Sequence, residues 1–103
     1  MLIQLDLGMF SAKQVVYVLR LEDDCWYVGY TVNLLNRLNQ HCKATGSSWT
    51  AMHRPLELYS VEPGDKTRER ELTLELMQEH GWRMVRGAAW TAHNLADAPV
   101  CLR

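Results

Sequence analysis

Val15-Val16-Tyr17-Val18-Leu19 and Trp26-Tyr27-Val28-Gly29-Tyr30 are short runs of β-branched and aromatic residues, the composition of strands. Between them, Arg20-Leu21-Glu22-Asp23-Asp24-Cys25 carries an acidic pair suited to a turn. The two runs therefore read as a β-hairpin over roughly residues 15–30, with Tyr17 and Tyr27 on neighbouring strands. Thr31-Val32-Asn33 leads directly into an amphipathic stretch carrying Arg37 and His41. These two are four residues apart and stack on one side of a helix. Two tyrosines, an arginine and a histidine converge within very little chain.

Working outward, the helix is expected from about Val32 to Ala44, capped by Thr31 or Asn33 and ended by Gly46. Its apolar face reads as Leu34, Leu35, Leu38 and Cys42, with Arg37 and His41 at the margin of that face. Thr45-Gly46-Ser47-Ser48-Trp49-Thr50 reads as a loop of small polar residues around one tryptophan. Leu56 to Val61 alternates apolar and polar, the pattern of a third strand. After the turn at Pro63-Gly64-Asp65, a second helix is expected to about His80, capped by Asp65 or Thr67 and stopped by Gly81. Arg83 to Trp90 is a short element broken by Gly87. The order β-β-α-β-α predicts an α+β domain with a small antiparallel sheet of about three strands flanked by helices. Residues 1–14 read as an N-terminal arm or extra edge strand, 15–95 as the domain, and 96–103 as a tail.

The 103 residues suffice for one domain with its own core. Lys and Arg number 11 against 12 Asp and Glu, for a formal net charge of -1. That balance excludes a dedicated non-specific nucleic-acid binder, which would be basic. Three cysteines without a Cys-x-x-Cys pair argue against a disulfide scaffold and fit a reducing compartment, the cytoplasm or, in a eukaryote, the nucleus. The cysteines and four histidines show no zinc-ligand spacing. No apolar run approaches the roughly 18 residues of a membrane span, so no membrane partner is expected.

The hairpin and helix resemble the signature of the GIY-YIG nuclease superfamily, as found in its small stand-alone members. Val15-Val16-Tyr17 stands where that family has Gly-Ile-Tyr, and Tyr27-Val28-Gly29 where it has Tyr-Ile-Gly. Arg37 follows the second tyrosine at the family's spacing, and His41 sits one turn later. A glutamate on the helix after the third strand carries the metal in that family. Glu71, followed by Leu72, Leu74 and Met77, is the better match by pattern, with Glu69 as the alternative. Val85-Arg86-Gly87-Ala88 resembles a Val-Arg-Gly-Gly stretch of some members, and Asn94 can fill the place of a late asparagine. The departures are Val15 for the opening glycine, Tyr30 for a small, polar or basic residue, and the low overall charge.

The resemblance implies a metal-dependent endonuclease hydrolysing DNA phosphodiester bonds, with Tyr17, Tyr27, Arg37, His41 and Glu71 catalytic. Glu71 would hold Mg2+ (or Mn2+), Arg37 would clamp phosphate, and Tyr17 or Tyr27 would serve as base, with His41 able to accept the tyrosine proton. Trp49, with Ser47, Ser48 and Thr50, is a candidate for touching a DNA strand. His53, Arg54, Arg83 and Arg86 are candidates for a basic rim, and Asn94 for a further contact. The alternative is a non-catalytic module on the same fold that binds nucleic acid or protein within a larger complex. A protein partner or a homodimer would supply the basic surface this chain lacks.

Overall fold

The structure is a computed structural model and describes residues 14–92 and 95–102. The hairpin forms as read: β1 (Val15–Leu21) and β2 (Trp26–Thr31) pair antiparallel, with Tyr17 opposite Gly29. Asp23 and Asp24 both take positive φ in the connection, a conformation that Asp tolerates better than most residues. Helix α1 (Leu34–Cys42) is capped by the Asn33 side chain, which accepts from the Asn36 N–H. A short helix α2 (Ser48–Met52) follows, then β3 (Pro55–Pro63), helix α3 (Lys66–His80) and β4 (Val85–Gly87). Asp65 caps α3 by accepting from the Thr67 and Arg68 N–H groups.

The sheet has four strands in the order β3-β1-β2-β4, not three. It is mixed, because β4 runs parallel to β2. The short run Val85-Arg86-Gly87 is too brief to show a strand periodicity, and it becomes one by docking on β2. Gly87 permits the approach: a Cβ there would lie 2.6 Å from the Val28 carbonyl oxygen and 2.7 Å from Thr73 Oγ1. The expected antiparallel three-stranded sheet is corrected accordingly.

β1 is central and buried on both faces, which is why it reads as a continuous apolar run. Val15, Tyr17, Leu19 and Leu21 point to one side, with Tyr27, Leu34, Leu38, Trp49 and Leu58. Val16 and Val18 point to the other, against Val28, Leu76, Met77 and Val85. Thus α1 and α2 cover one face and α3 the other. The inner face of α1 is Leu34, Leu38 and His41. Leu35 is 62 % exposed and Cys42 is exposed, so the expected apolar face was set too far round the helix.

The expected loop over 45–50 is half helix. Ser47 and Thr50 cap α2 reciprocally, each side chain accepting from the other's backbone N–H. The expected arm, residues 1–14, lies outside the described residues except for Gln14. The expected tail, 96–103, is not a bare loop: Val100–Leu102 forms a 3-10 turn, and Leu102 packs on the α3-side core.

Candidate active site

Tyr17 stands on the central strand with its ring buried under Gly29 of the neighbouring strand. A Cβ at Gly29 would lie 2.2 Å from Tyr17 Cζ and 2.3 Å from its oxygen. Only a glycine opposite Tyr17 leaves the phenol this room. Its oxygen lies 2.7 Å from His41 Nε2, and His41 Nδ1 lies 2.9 Å from Thr50 Oγ1. The Tyr27 ring packs beside both, its centroid 6.3 Å from that of Tyr17 and 5.0 Å from that of His41. The end of α1 is closed over His41 by Gly46, where a Cβ would lie 2.3 Å from His41 Nδ1. Gly46 therefore makes room for a buried imidazole; it is Ala44, at φ 59°, that turns the chain out of the helix.

Arg37 sits one turn before His41, half-buried, with its guanidinium close enough to both phenols to act on them electrostatically. Its Nη1 also donates to Gln40 Oε1 at 2.8 Å. Burial raises the Tyr17 hydroxyl well above the usual tyrosine range; nearby Tyr27 adds to this and Arg37 opposes it. Burial likewise raises Tyr27, with Arg37 opposing. Burial would lower Arg37, but the two phenols outweigh it and hold the guanidinium firmly charged. His41 is pushed down to about 4 by burial and then by the charge of Arg37, so it is neutral at ordinary pH.

Of the two candidate glutamates, Glu69 rather than Glu71 lies near the phenols. Glu69 is half-buried and is felt electrostatically by both phenols. Burial raises its carboxyl, and Lys66 opposes. Glu71 is exposed on the outer side of α3 with Glu75 and Gln78. The helix geometry explains the difference: Thr73, Leu76 and Met77 face the sheet, and Glu69 lies one turn before Thr73, whereas Glu71 projects away. Glu69 opens into a cleft of about 330 Å³ lined also by Lys66, Arg70, Ala88 and Ala89.

The expected nucleic-acid contacts fare unevenly. Trp49 is buried, its indole N–H donating to the Trp26 carbonyl at 2.9 Å, so it is a core anchor rather than an exposed stacking ring. Arg86 is 3 % exposed and lies flat on Trp49, 4.3 Å from the ring centre. Its guanidinium donates to the carbonyls of Trp82, Arg83, Val85 and Ala92, which ties β4 to its flanking turns. Neither presents a rim to DNA. Arg54 and Arg83 are exposed, and His53 is half-buried and paired with Asp23 at 3.0 Å. Asn94 lies outside the described residues. Sequence reasoning missed Lys66 and Arg70 as cleft residues. Lys66, three residues before Glu69 on the same helix, was the available signal; Arg70, directly after Glu69, offered none.

The family model of the GIY-YIG catalytic domain matches residues 13–79, which include every residue of this cluster. The chain belongs to the GIY-YIG family. Similar proteins include the UPF0213 protein of Pediococcus pentosaceus, 42% identical over 53 residues, 52% of this chain and 56% of that protein. UPF0213 protein YazA of Bacillus subtilis is 38% identical over 61 residues, 59% of this chain and 62% of that protein. UPF0213 protein SH2523 of Staphylococcus haemolyticus is 32% identical over 66 residues, 59% of this chain and 80% of that protein. The chain thus spans little more than half the length of the first two. No solved structure matches it. The GIY-YIG domain points to a nuclease-type function. Among the described residues, no helix is long and apolar enough to cross a membrane.

Proposed function

We propose that this chain is a metal-dependent endonuclease that hydrolyses DNA phosphodiester bonds. The observation that carries the proposal is the convergence on Arg37 of two buried phenols, with Glu69 close enough to act on both. Attack on phosphorus builds negative charge on the non-bridging oxygens. Arg37 cannot lose its charge and presents a fork of donors matched to phosphate. Held between two phenols, it is positioned before substrate arrives.

A neutral tyrosine can act as a base only if its own proton has somewhere to go. Tyr17 has such an outlet, because its oxygen meets His41 Nε2. As the attacking water gives its proton to the phenol oxygen, the phenol proton passes to the imidazole, and no free tyrosinate accumulates. Tyr27, beside Tyr17 and His41, helps to orient the guanidinium.

Among the described residues, no group of three or more His, Cys, Asp or Glu side chains stands ready to hold a metal. A lone carboxylate opening into a roomy cleft fits a hard cation that completes its shell with water and phosphate oxygens, such as Mg2+ or Mn2+. Glu69 would hold it, and when bound it neutralises phosphate charge. The donor set does not suit zinc or copper.

The test is cleavage of a labelled panel of single-stranded, duplex, flapped and branched DNA, with Mg2+ or with EDTA. Wild type cuts only with the metal, Arg37→Ala and Glu69→Ala do not cut, and Tyr17→Phe loses more than Tyr27→Phe. Absence of cutting on every substrate by folded wild type would return the chain to the reading of a non-catalytic binding module.

A further inference from the structure

His41 is enclosed from every side: Tyr17 on β1, Tyr27 on β2, Arg37 on its own helix, and Thr50 and Ser47 at the start of α2. Its two ring nitrogens have different partners, so the position of its single proton decides what it can do. Thr50 Oγ1 lies 2.9 Å from His41 Nδ1, 2.9 Å from Ser47 Oγ and 3.3 Å from the Ser47 carbonyl, to which it can donate. The arrangement is locked by the reciprocal cap, in which the Thr50 N–H donates to Ser47 Oγ at 3.1 Å. Thr50 is fully buried, so no water competes for these bonds.

The two tautomers of His41 leave Tyr17 with different partners. If Nδ1 carries the proton, it donates to Thr50, whose own hydrogen goes to the Ser47 carbonyl. Nε2 then accepts the Tyr17 hydroxyl. If Nε2 carries the proton instead, it donates to the Tyr17 oxygen and is closed to the phenol proton.

We propose that Thr50 is a positioning residue: its hydroxyl takes the Nδ1 proton of His41 and so keeps Nε2 free to receive the proton of Tyr17. Ser47 and Thr50 thus serve the reaction from behind the histidine rather than by touching DNA. Groups that orient a histidine from behind are commonly worth about 10–100-fold in metal sites, and the same logic applies to a proton acceptor.

This inference rests on the proposed tyrosine–histidine relay, but its first readout needs no DNA. Ring nitrogen-15 NMR of the wild-type chain should show His41 protonated at Nδ1 and bare at Nε2. A wild-type Nε2–H tautomer overturns the proposal, whether or not the protein cuts DNA. Thr50→Val, checked for folding by circular dichroism, should shift His41 toward the Nε2–H form and lower kcat about 10–100-fold with KM little changed. Thr50→Ser keeps the hydroxyl and should restore the Nδ1–H form and most of the rate. A folded Thr50→Val with an unchanged tautomer and an unchanged kcat also overturns it. If Thr50→Val does not fold, the wild-type tautomer decides. If wild type cuts no DNA yet shows the Nδ1–H form and the Thr50→Val shift, the positioning stands and only the nuclease reading falls.

Discussion

The Tyr17 phenol and the Glu69 carboxylate belong to one site and are housed in opposite ways. Tyr17, His41, Thr50 and Ser47 form a continuous hydrogen-bonded line inside the protein, each held by the next. Glu69 comes from the helix on the other face of the sheet and opens into a cleft between Lys66 and Arg70. The closed line fixes where protons sit before any ligand arrives. The open cleft has room for solvent, a cation and phosphate, and acts through charge. Arg37 joins them, half-buried, with both phenols behind it.

If Arg37 is that junction, its loss should cost the most. Arg37→Ala should lower kcat by about 10³-fold, the scale of removing a charged donor from a developing oxyanion. Single-turnover cleavage measures it. A loss no larger than that of a cleft lysine would mean the two regions do not meet at this residue. The cleft is tested next by a pair of substitutions on one helix. Glu69→Gln should lower the rate by about 10²-fold and weaken the response to Mg2+, while Glu71→Gln should leave both unchanged. A reversed result would move the carboxylate to the outer side of α3, away from the phenols.

The closed region has its own signature in stability. His41 titrates at about 4 in the folded chain against 6.5 for the free group. Between these values the unfolded chain binds more protons, so acidification favours unfolding. This contribution is fully present above pH 6.5 and is lost as the pH falls toward 4. Urea unfolding of wild type should lose about 2–3 kcal/mol across that window relative to His41→Gln. The difference between the two proteins isolates His41 from Glu69, whose raised carboxyl contributes with the opposite sign. Parallel curves would mean that the imidazole is not enclosed.

Much of this was legible in the sequence. The hairpin, the helix carrying Arg37 and His41, the third strand and the cap at Asp65 follow from local pattern and turn chemistry. The fourth strand did not, because Val85–Gly87 is three residues long and is a strand only by virtue of β2 beside it. Trp49 and Arg86 misled for a related reason. A tryptophan among serines and an arginine near glycines look exposed one at a time, yet here they stack on each other and satisfy buried carbonyls. Glu69 and Glu71 both sit in a charged run, and only the packing of Thr73 and Leu76 on the sheet shows which one turns inward. Thr50 was noticed for its hydroxyl, but the partner of that hydroxyl lies nine residues back, on another helix.

The smallest expected effect lies at Lys66. It is exposed at the start of α3, its ammonium lies 6.0 Å from the Tyr30 ring centre, and it lines the cleft with Arg70. The chain as a whole carries no positive excess, so phosphate attraction must come from a few local charges such as these. An exposed lysine contributes to such attraction without touching the reacting atoms. Lys66→Ala should therefore raise KM several-fold, leave kcat nearly unchanged, and reduce the slope of log affinity against log salt by about 1. Cleavage across a salt series separates these quantities. A fall in kcat at constant KM would instead place Lys66, with Glu69, among the groups of the cleft that act on the scissile phosphate.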